Sequence, residues 1–299
     1  MADVLILGTV ALDNIETPFK KGINLFGGSA AYASIACSLF AKPCIVSVVG
    51  KDMPKEYLDL LKARGIDSEG IYFAEKSFKW TGFYEFDMNV AHTRKTELNS
   101  LADFNPNVPE SYKGVKFVFL ANVDPDIQIK VLKSINKPEL VVLDTMNFWI
   151  GSKKERLLEA IKLADVLVIN DGEARELFQT TNLVQAAKKA LMLVRRAVIV
   201  KKGEHGSLLF THHRHFNAPG YPLENVFDPT GCGDSFGGAF IGYLAKTGNL
   251  DEKNMRKAVI YGSVVASFTA EDLGVNRLAD ITMSDVEKRF SEIREIREF

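Results

Sequence analysis

The sequence predicts an α/β fold, a mostly parallel sheet flanked by helices on both faces with a small discontinuous β lid. Short continuous apolar runs such as Val4 to Leu7 and Val166 to Ile169 recur between segments of helical period. That is the pattern of strands buried on both faces of a parallel sheet. Successive runs end in a carboxylate or carboxamide: Asn122 lies beyond Phe117 to Leu120, Asp144 beyond Leu140 to Leu143, and Asn170 beyond Val166 to Ile169. Open α/β sheets bind ligands at this carboxyl edge, so the recurrence predicts one polar site along it. Two stretches, about 14–26 and 71–99, break the βα rhythm and supply the lid.

A chain of 299 residues, 46% hydrophobic and 25% charged, has room for a sizeable core and reads here as a single domain over 1–299. The formal net charge of −1 offers no bulk attraction for nucleic acid or an anionic membrane. Any anionic ligand must therefore meet a local site. Apolar runs are too short for a membrane span, and the start Met-Ala-Asp-Val-Leu-Ile-Leu-Gly lacks the basic flank of a signal peptide. Cys37, Cys44 and Cys232 have no C-x-x-C spacing, which argues against a disulfide framework or a zinc site and suits a reducing compartment. A cytoplasmic location is expected.

Taken in order, Val4 to Leu7 ends at Gly8 as the first strand, and Asp13 follows where the chain leaves it. Gly27-Gly28 then precedes a helix from about Ser29 to Phe40 whose start is crowded with small residues. Such a pair reads either as a plain loop or as a surface that lets a ligand approach the backbone. Ile45 to Val49 and Pro54 to Arg64 are the next strand and helix. From Ile71 to Asn99, Trp80, Gly82, Tyr84 and Phe86 alternate with Thr81, Phe83, Glu85 and Asp87, a strand period with large residues on both faces. The rhythm resumes with helices at Ile127 to Ile135 and Lys154 to Leu163 and the strands already named. Ala197 to Lys201 and Ser207 to Phe210 are strands around Gly203 and Gly206, and Thr211-His-His-Arg-His215 reads as a solvated hairpin turn, having no second ligand cluster for a metal. Asp251 to Ala270 is a helix with a small-residue face, and Ser284 to Glu298 a charged amphipathic helix.

The most informative stretch is Asp228-Pro-Thr-Gly-Cys-Gly-Asp234, which runs into the helical pattern Phe236, Ala239, Phe240, Tyr243, Leu244. Gly231 and Gly233 let an anion approach the chain, and the helix start adds unpaired N–H groups and a positive dipole end. The loop can hold a phosphate. Asp234 beside such a site is repelled by the ligand unless it has a task, and taking a proton from a hydroxyl that attacks phosphorus is one. A helix N-cap is the simpler role for it. The spacing is not G-x-G-x-x-G, and no G-x-x-x-x-G-K-[ST] occurs.

Asp228 to Asp234 resembles the D-T-x-G-A-G-D signature of the ribokinase-like, phosphofructokinase-B type carbohydrate kinases, with Pro229 and Cys232 as substitutions. Gly27-Gly-Ser-Ala-Ala-Tyr-Ala-Ser34 resembles the family's first signature, with Tyr32 where a hydroxyl-binding Asn is usual, and Asp13 matches its substrate-binding Asp. Asn170-Asp-Gly-Glu173 resembles its N-x-x-E motif, which acts through Mg²⁺ and its waters. Asp144-Thr-Met-Asn147 is similar to an Asp-x-Asn motif with one residue more and no following Arg.

The resemblance implies ATP and Mg²⁺ as cofactors, leaves a monovalent cation open, and implies a small hydroxyl acceptor among sugars, nucleosides and polyols. Asp234 would be the general base, with the backbone of Gly231, Cys232 and Gly233 as anion hole. The acceptor would meet Asp13, Gly27, Gly28, Tyr32, Asn122 and Asp144. The nucleotide would meet Asn170, Lys202, Gly203, Thr230, Gly233 and Ser263, and the metal, through water, Asn170 and Glu173. The lid would cover the acceptor, and in this family it also offers a homodimer contact. Two other classes compete with a kinase. A non-catalytic sensor on the same fold has no need of Asp234 at an anion hole, and a dehydrogenase would need the glycine fingerprint that does not follow Val4 to Gly8.

Overall fold

The computed structural model describes residues 2–298. β1 (Val4–Leu7) leads into a hairpin, β2 (Ala11–Glu16) and β3 (Lys21–Gly27), and then into α1 (Ser29–Ser38). The alternation continues through β4 (Pro43–Gly50), α2 (Lys55–Ala63) and β5 (Asp67–Ala74) before a second hairpin, β6 (Phe78–Tyr84) and β7 (Ala91–Glu97). It resumes with β8 (Phe117–Leu120), α3 (Pro125–Lys133), β9 (Leu140–Asp144), α4 (Asn147–Ser152), α5 (Lys154–Leu163) and β10 (Val166–Asn170). Next come α6 (Asp171–Phe178), α7 (Leu183–Leu191), β11 (Ala197–Lys201), β12 (Ser207–Thr211) and β13 (His215–Ala218). Helices α8 (Cys232–Thr247), α9 (Glu252–Thr269), α10 (Asn276–Asp280) and α11 (Met283–Ile296) follow.

A nine-stranded sheet runs in the order β13-β12-β11-β10-β9-β8-β1-β4-β5. It is parallel from β5 to β11 and antiparallel only at the β12 and β13 edge. Val4, Ile6, Leu140, Val142, Val166, Val168, Ala197 and Ile199 face the layer that includes α1, α8 and α9, while the alternate residues face α3, α5, α6 and α7. This is the period of two of a pleated strand buried on both sides. It has a consequence for the site. Asp144, Asn170 and Lys201 fall in the same parity as Val142, Val168 and Ile199, at the carboxyl ends of neighbouring strands, on the α8 side.

The small residues of α1 and α8 are explained by how closely these helices approach. A Cβ added to Gly238 would fall 2.1 Å from the Ala33 carbonyl oxygen, and one added to Gly242 would fall 3.1 Å from Cys37 Cα. Any larger residue at 238 would push α8 off α1, and overpacking of this kind costs about 1–3 kcal/mol or more. The tight contact fixes the start of α8 against the start of α1.

The lid residues form a second sheet in the order β3-β2-β6-β7, joined across the two hairpins by the parallel β2–β6 pair. Its boundaries differ from those the sequence suggests. The sheet begins at Ala11, and Ile71 to Ala74 pair with β4 in the large sheet. Strand periodicity does not say which sheet a strand joins, so the end of β5 is not told apart from β6 and β7 within the 71–99 stretch. Phe86 lies beyond β6 and is 90% exposed, which removes it from the strand read for it. Residues 212–214 connect antiparallel β12 and β13, as a hairpin turn does. Among the described residues, no helix is long and apolar enough to cross a membrane.

Candidate active site

The anion loop is tied down from behind. Asp228 is fully buried, and its carboxylate accepts the Thr230 N–H at 2.9 Å and the Gly274 N–H at 3.1 Å. The Phe227 N–H donates to the Ala270 carbonyl at 2.8 Å, so the loop is pinned to the end of α9. Gly231 takes the left-handed conformation at φ +79° that an L side chain rarely adopts. It has no room for one either, because an added Cβ would lie 2.4 Å from Tyr32 Cγ. α8 starts at Cys232 with no side-chain cap, and Asp234 sits in its first turn, not at the cap. The Cys232 N–H turns back to the Pro229 carbonyl at 3.2 Å, which leaves the N–H groups of Gly233 and Asp234 in the first turn to meet an anion.

Acidic and basic groups converge around that turn. Burial and the Asp144 carboxylate push Asp234 up to about 7, against the opposing pull of Lys201. A carboxyl poised near neutrality suits a general base. Lys201 Nζ donates to Asp144 Oδ2 at 2.7 Å, and the Thr145 N–H donates to Asp144 Oδ1 at 2.9 Å. Burial works against the Lys201 ammonium, but Asp144, Glu173 and Asp234 outweigh it and hold its pKa above the ordinary lysine range.

Asn170 and Glu173 open α6 as a reciprocal capping box. The Glu173 N–H donates to Asn170 Oδ1 at 2.7 Å, and the Asn170 N–H to Glu173 Oε2 at 2.9 Å. This satisfies two helix-end donors and aims the buried Glu173 carboxyl. Burial and Asp144 raise Glu173 to about 8, with Lys201 opposing. Among the described residues, no group of three or more His, Cys, Asp or Glu forms a metal cage. The residues fit Mg²⁺ held through water and phosphate oxygens, the manner in which this ion is usually bound.

At the other end, Asp13 is buried on β2. A Cβ on Gly27 would fall 2.1 Å from Asp13 Oδ2, so glycine at 27 makes room for the carboxylate. Asp13 Oδ1 is buried without a partner. Burial, then Asp228, push its carboxyl up to about 8, although the backbone N–H groups of Gly28 and Trp80 pull it down. Gly28 has φ +92°, and behind it Ser29 Oγ accepts the Thr9 N–H at 3.0 Å and donates to the Asn122 carbonyl at 3.0 Å. Tyr32 is 1% exposed, and its hydroxyl has no partner. The lid reaches the anion loop through Tyr84, whose hydroxyl is 3.0 Å from Thr230 Oγ1.

The remaining residues singled out in the sequence have their own surroundings. Asn122 accepts the Trp149 indole N–H at 3.0 Å and points its amide nitrogen at Met146 Sδ, 3.0 Å away. The Lys202 N–H donates to the Gly206 carbonyl at 2.7 Å, closing the turn between β11 and β12. Gly203 stands in that turn at φ +56°, and Asn89 from the lid reaches it and donates to Glu204 at 3.2 Å. Ser263 is buried within α9, and the same helix accepts the Cys232 thiol through the Ala266 carbonyl at 3.4 Å. The lysine beside the anion loop is Lys201, which the sequence reading passed over. Its signal was strand parity, since Lys201 follows Ala197 and Ile199 on the face that α8 covers.

Residues 20–281 match the family described as pfkB family carbohydrate kinase. The chain is 26% identical over 258 residues to a cytidine kinase of Thermococcus kodakarensis, covering 84% of this chain and 92% of that protein. It is 27% identical over 294 residues to a nucleoside kinase of Methanocaldococcus jannaschii, covering 92% of each. The crystal structure of the Methanocaldococcus jannaschii nucleoside kinase, described as an archaeal member of the ribokinase family, superposes with a TM-score of 0.78 at 26% identity, over 97% of this chain and 98% of that one. The expected fold is borne out, and so is a phosphotransferase over a non-catalytic sensor. The chain belongs to the pfkB family of carbohydrate kinases, enzymes that transfer a phosphoryl group to an alcohol.

Proposed function

We propose that the protein is an ATP- and Mg²⁺-dependent nucleoside kinase that phosphorylates a primary hydroxyl of the nucleoside's sugar. The observation that carries this reading is Tyr32, a phenol with an unpartnered hydroxyl wedged between Asp13 and the anion loop. An Asn there would read two adjacent sugar hydroxyls. A tyrosine reads one and adds an apolar ring, which suits an acceptor with a smaller share of hydroxyls. The names of the relatives, a cytidine kinase and a nucleoside kinase, point the same way.

In this mechanism Asp13 accepts a hydrogen bond from a sugar hydroxyl, through the oxygen that is otherwise orphaned. Asp234 takes the proton of the attacking hydroxyl as its oxygen bonds to the γ-phosphorus, and ADP leaves with the bridging oxygen. The backbone of Gly231, Cys232 and Gly233 meets the charge on the moving phosphoryl, the Cys232 N–H on leaving the Pro229 carbonyl that it holds at 3.2 Å, and the backing of the loop by Asp228 and Tyr32 limits further reorganisation. Asn170 and Glu173 would hold Mg²⁺ through its waters, and that ion supplies charge neutralisation on the phosphates. Thr230, Lys202, Gly203 and Ser263 are assigned to the nucleotide side.

A thermal-shift screen of cytidine, uridine, adenosine, inosine, ribose, fructose and myo-inositol, with a non-hydrolysable ATP analogue, tests the reading. A ligand that binds only the native state raises its stability by mass action. Nucleosides should raise Tm and free ribose and fructose should not at equal concentration. The reverse order overturns the assignment.

A further inference from the structure

The largely covered lysine at the end of β11 has no part in the mechanism so far. Its side chain is 16% exposed, and Nζ donates to Asp144 Oδ2 at 2.7 Å. An ammonium carries three donors, and Asp144 takes one. Nζ also lies against the anion loop, because a Cβ added to Gly233 would fall 2.8 Å from it. The absence of a side chain at 233 thus opens a path between this ammonium and the first turn of α8. Among the described residues, Lys201 is the cation acting on Asp144, Glu173 and Asp234. A site so rich in carboxylates repels a polyanionic donor. A helix N-terminus contributes only about half a positive charge.

We propose that Lys201 is a catalytic residue that contacts the transferring phosphoryl group from the Gly233 side, and that Asp144 is the positioning residue that aims it. This rests on the kinase reading of the site and not on which alcohol is the acceptor. As the acceptor oxygen bonds to the γ-phosphorus, its proton passes to Asp234 and the bond from phosphorus to the β–γ bridging oxygen breaks, leaving ADP. Lys201 keeps its proton throughout. Its ammonium offers hydrogen bonds to the phosphoryl oxygens, whose charge the neighbouring carboxylates would otherwise oppose. Asp144 fixes the direction of Nζ through one oxygen, while its other oxygen is locked by the Thr145 N–H at 2.9 Å.

The competing role for Lys201 is that of a counter-ion for a buried Asp144, and the two roles separate in a double variant. Lys201→Met should lower kcat by roughly 10²–10³-fold, as loss of a preorganised donor does, with the acceptor KM changed only a few-fold. Asp144→Asn should lower kcat less, by about tenfold. Lys201→Met/Asp144→Asn leaves neither member of this ion pair as an unpaired buried charge, so it avoids the penalty that breaking the pair imposes on the single variants. Its kcat should stay as low as that of Lys201→Met. Recovery toward the wild-type rate in the double variant would make the pair structural and overturn the proposal.

A second readout needs no acceptor. By calorimetric titration in the presence of Mg²⁺, the wild-type preference for a non-hydrolysable ATP analogue over ADP should shrink about tenfold or more in the double variant. An unchanged preference overturns the phosphoryl contact. Failure of nucleosides as acceptors, by contrast, leaves this ratio intact and sinks only the nucleoside assignment.

Discussion

The ring of Tyr32 lies flat against Gly231, so close that a Cβ there would sit within 2.5 Å of ring carbons Cγ, Cδ1 and Cδ2. One residue of α1 is therefore the backing of the anion loop and also carries a buried hydroxyl without a partner. Tyr32→Phe separates these roles. It keeps the ring and removes an orphan whose burial costs about 1–3 kcal/mol. If the hydroxyl serves the acceptor, Tyr32→Phe raises the acceptor KM several-fold while Tm holds or rises. Tyr32→Asn should shift the preference toward free sugars. An unaltered acceptor KM and rank order in both variants would leave Tyr32 as packing alone.

As the proposed base, Asp234 should set the pH dependence. The base must be ionised to work, and a pKa raised to about 7 by burial and Asp144 leaves it half protonated near neutrality. kcat/KM should therefore fall as pH drops below about 7, approaching tenfold per unit, and level off above it. Asp234→Asn should lose roughly 10²–10⁴ in kcat with substrate affinity within a few-fold, and should lose the pH break too. A break that persists in the variant belongs to another group.

The capping box at the start of α6 makes a different demand. Glu173→Gln keeps an oxygen that can accept the Asn170 N–H, so the helix start survives. It removes the carboxylate proposed to hold Mg²⁺ through water, and the Mg²⁺ concentration for half-maximal rate should rise about tenfold or more. An identical Mg²⁺ titration in the variant would confine the pair to helix capping.

Much of this arrangement was readable in the residues. The anion loop declares itself because glycines, a carboxylate and an amphipathic helix are contiguous, and the polar ends of β8, β9 and β10 declare the sheet edge. Lys201 was not recognised, because at the end of an apolar strand a lysine reads as the point where the chain meets solvent. Only the packing of α8 over that face turns its parity into burial. The sheet membership of Ile71 to Ala74 was hidden for a related reason, since register with β4 is a long-range choice that local period does not encode. Tyr84 reads from sequence as one aromatic of a lid strand, and its 3.0 Å contact with Thr230 depends on how the two sheets meet.

Whether this site phosphorylates nucleosides is decided by comparing kcat/KM for cytidine, adenosine, ribose, fructose and myo-inositol with Mg²⁺·ATP. A nucleoside should head the series, by about tenfold or more over any free sugar, and that turnover should be lost in Asp234→Asn. Ribose or fructose at the head, or nucleoside turnover that survives Asp234→Asn at the wild-type rate, would contradict this assignment.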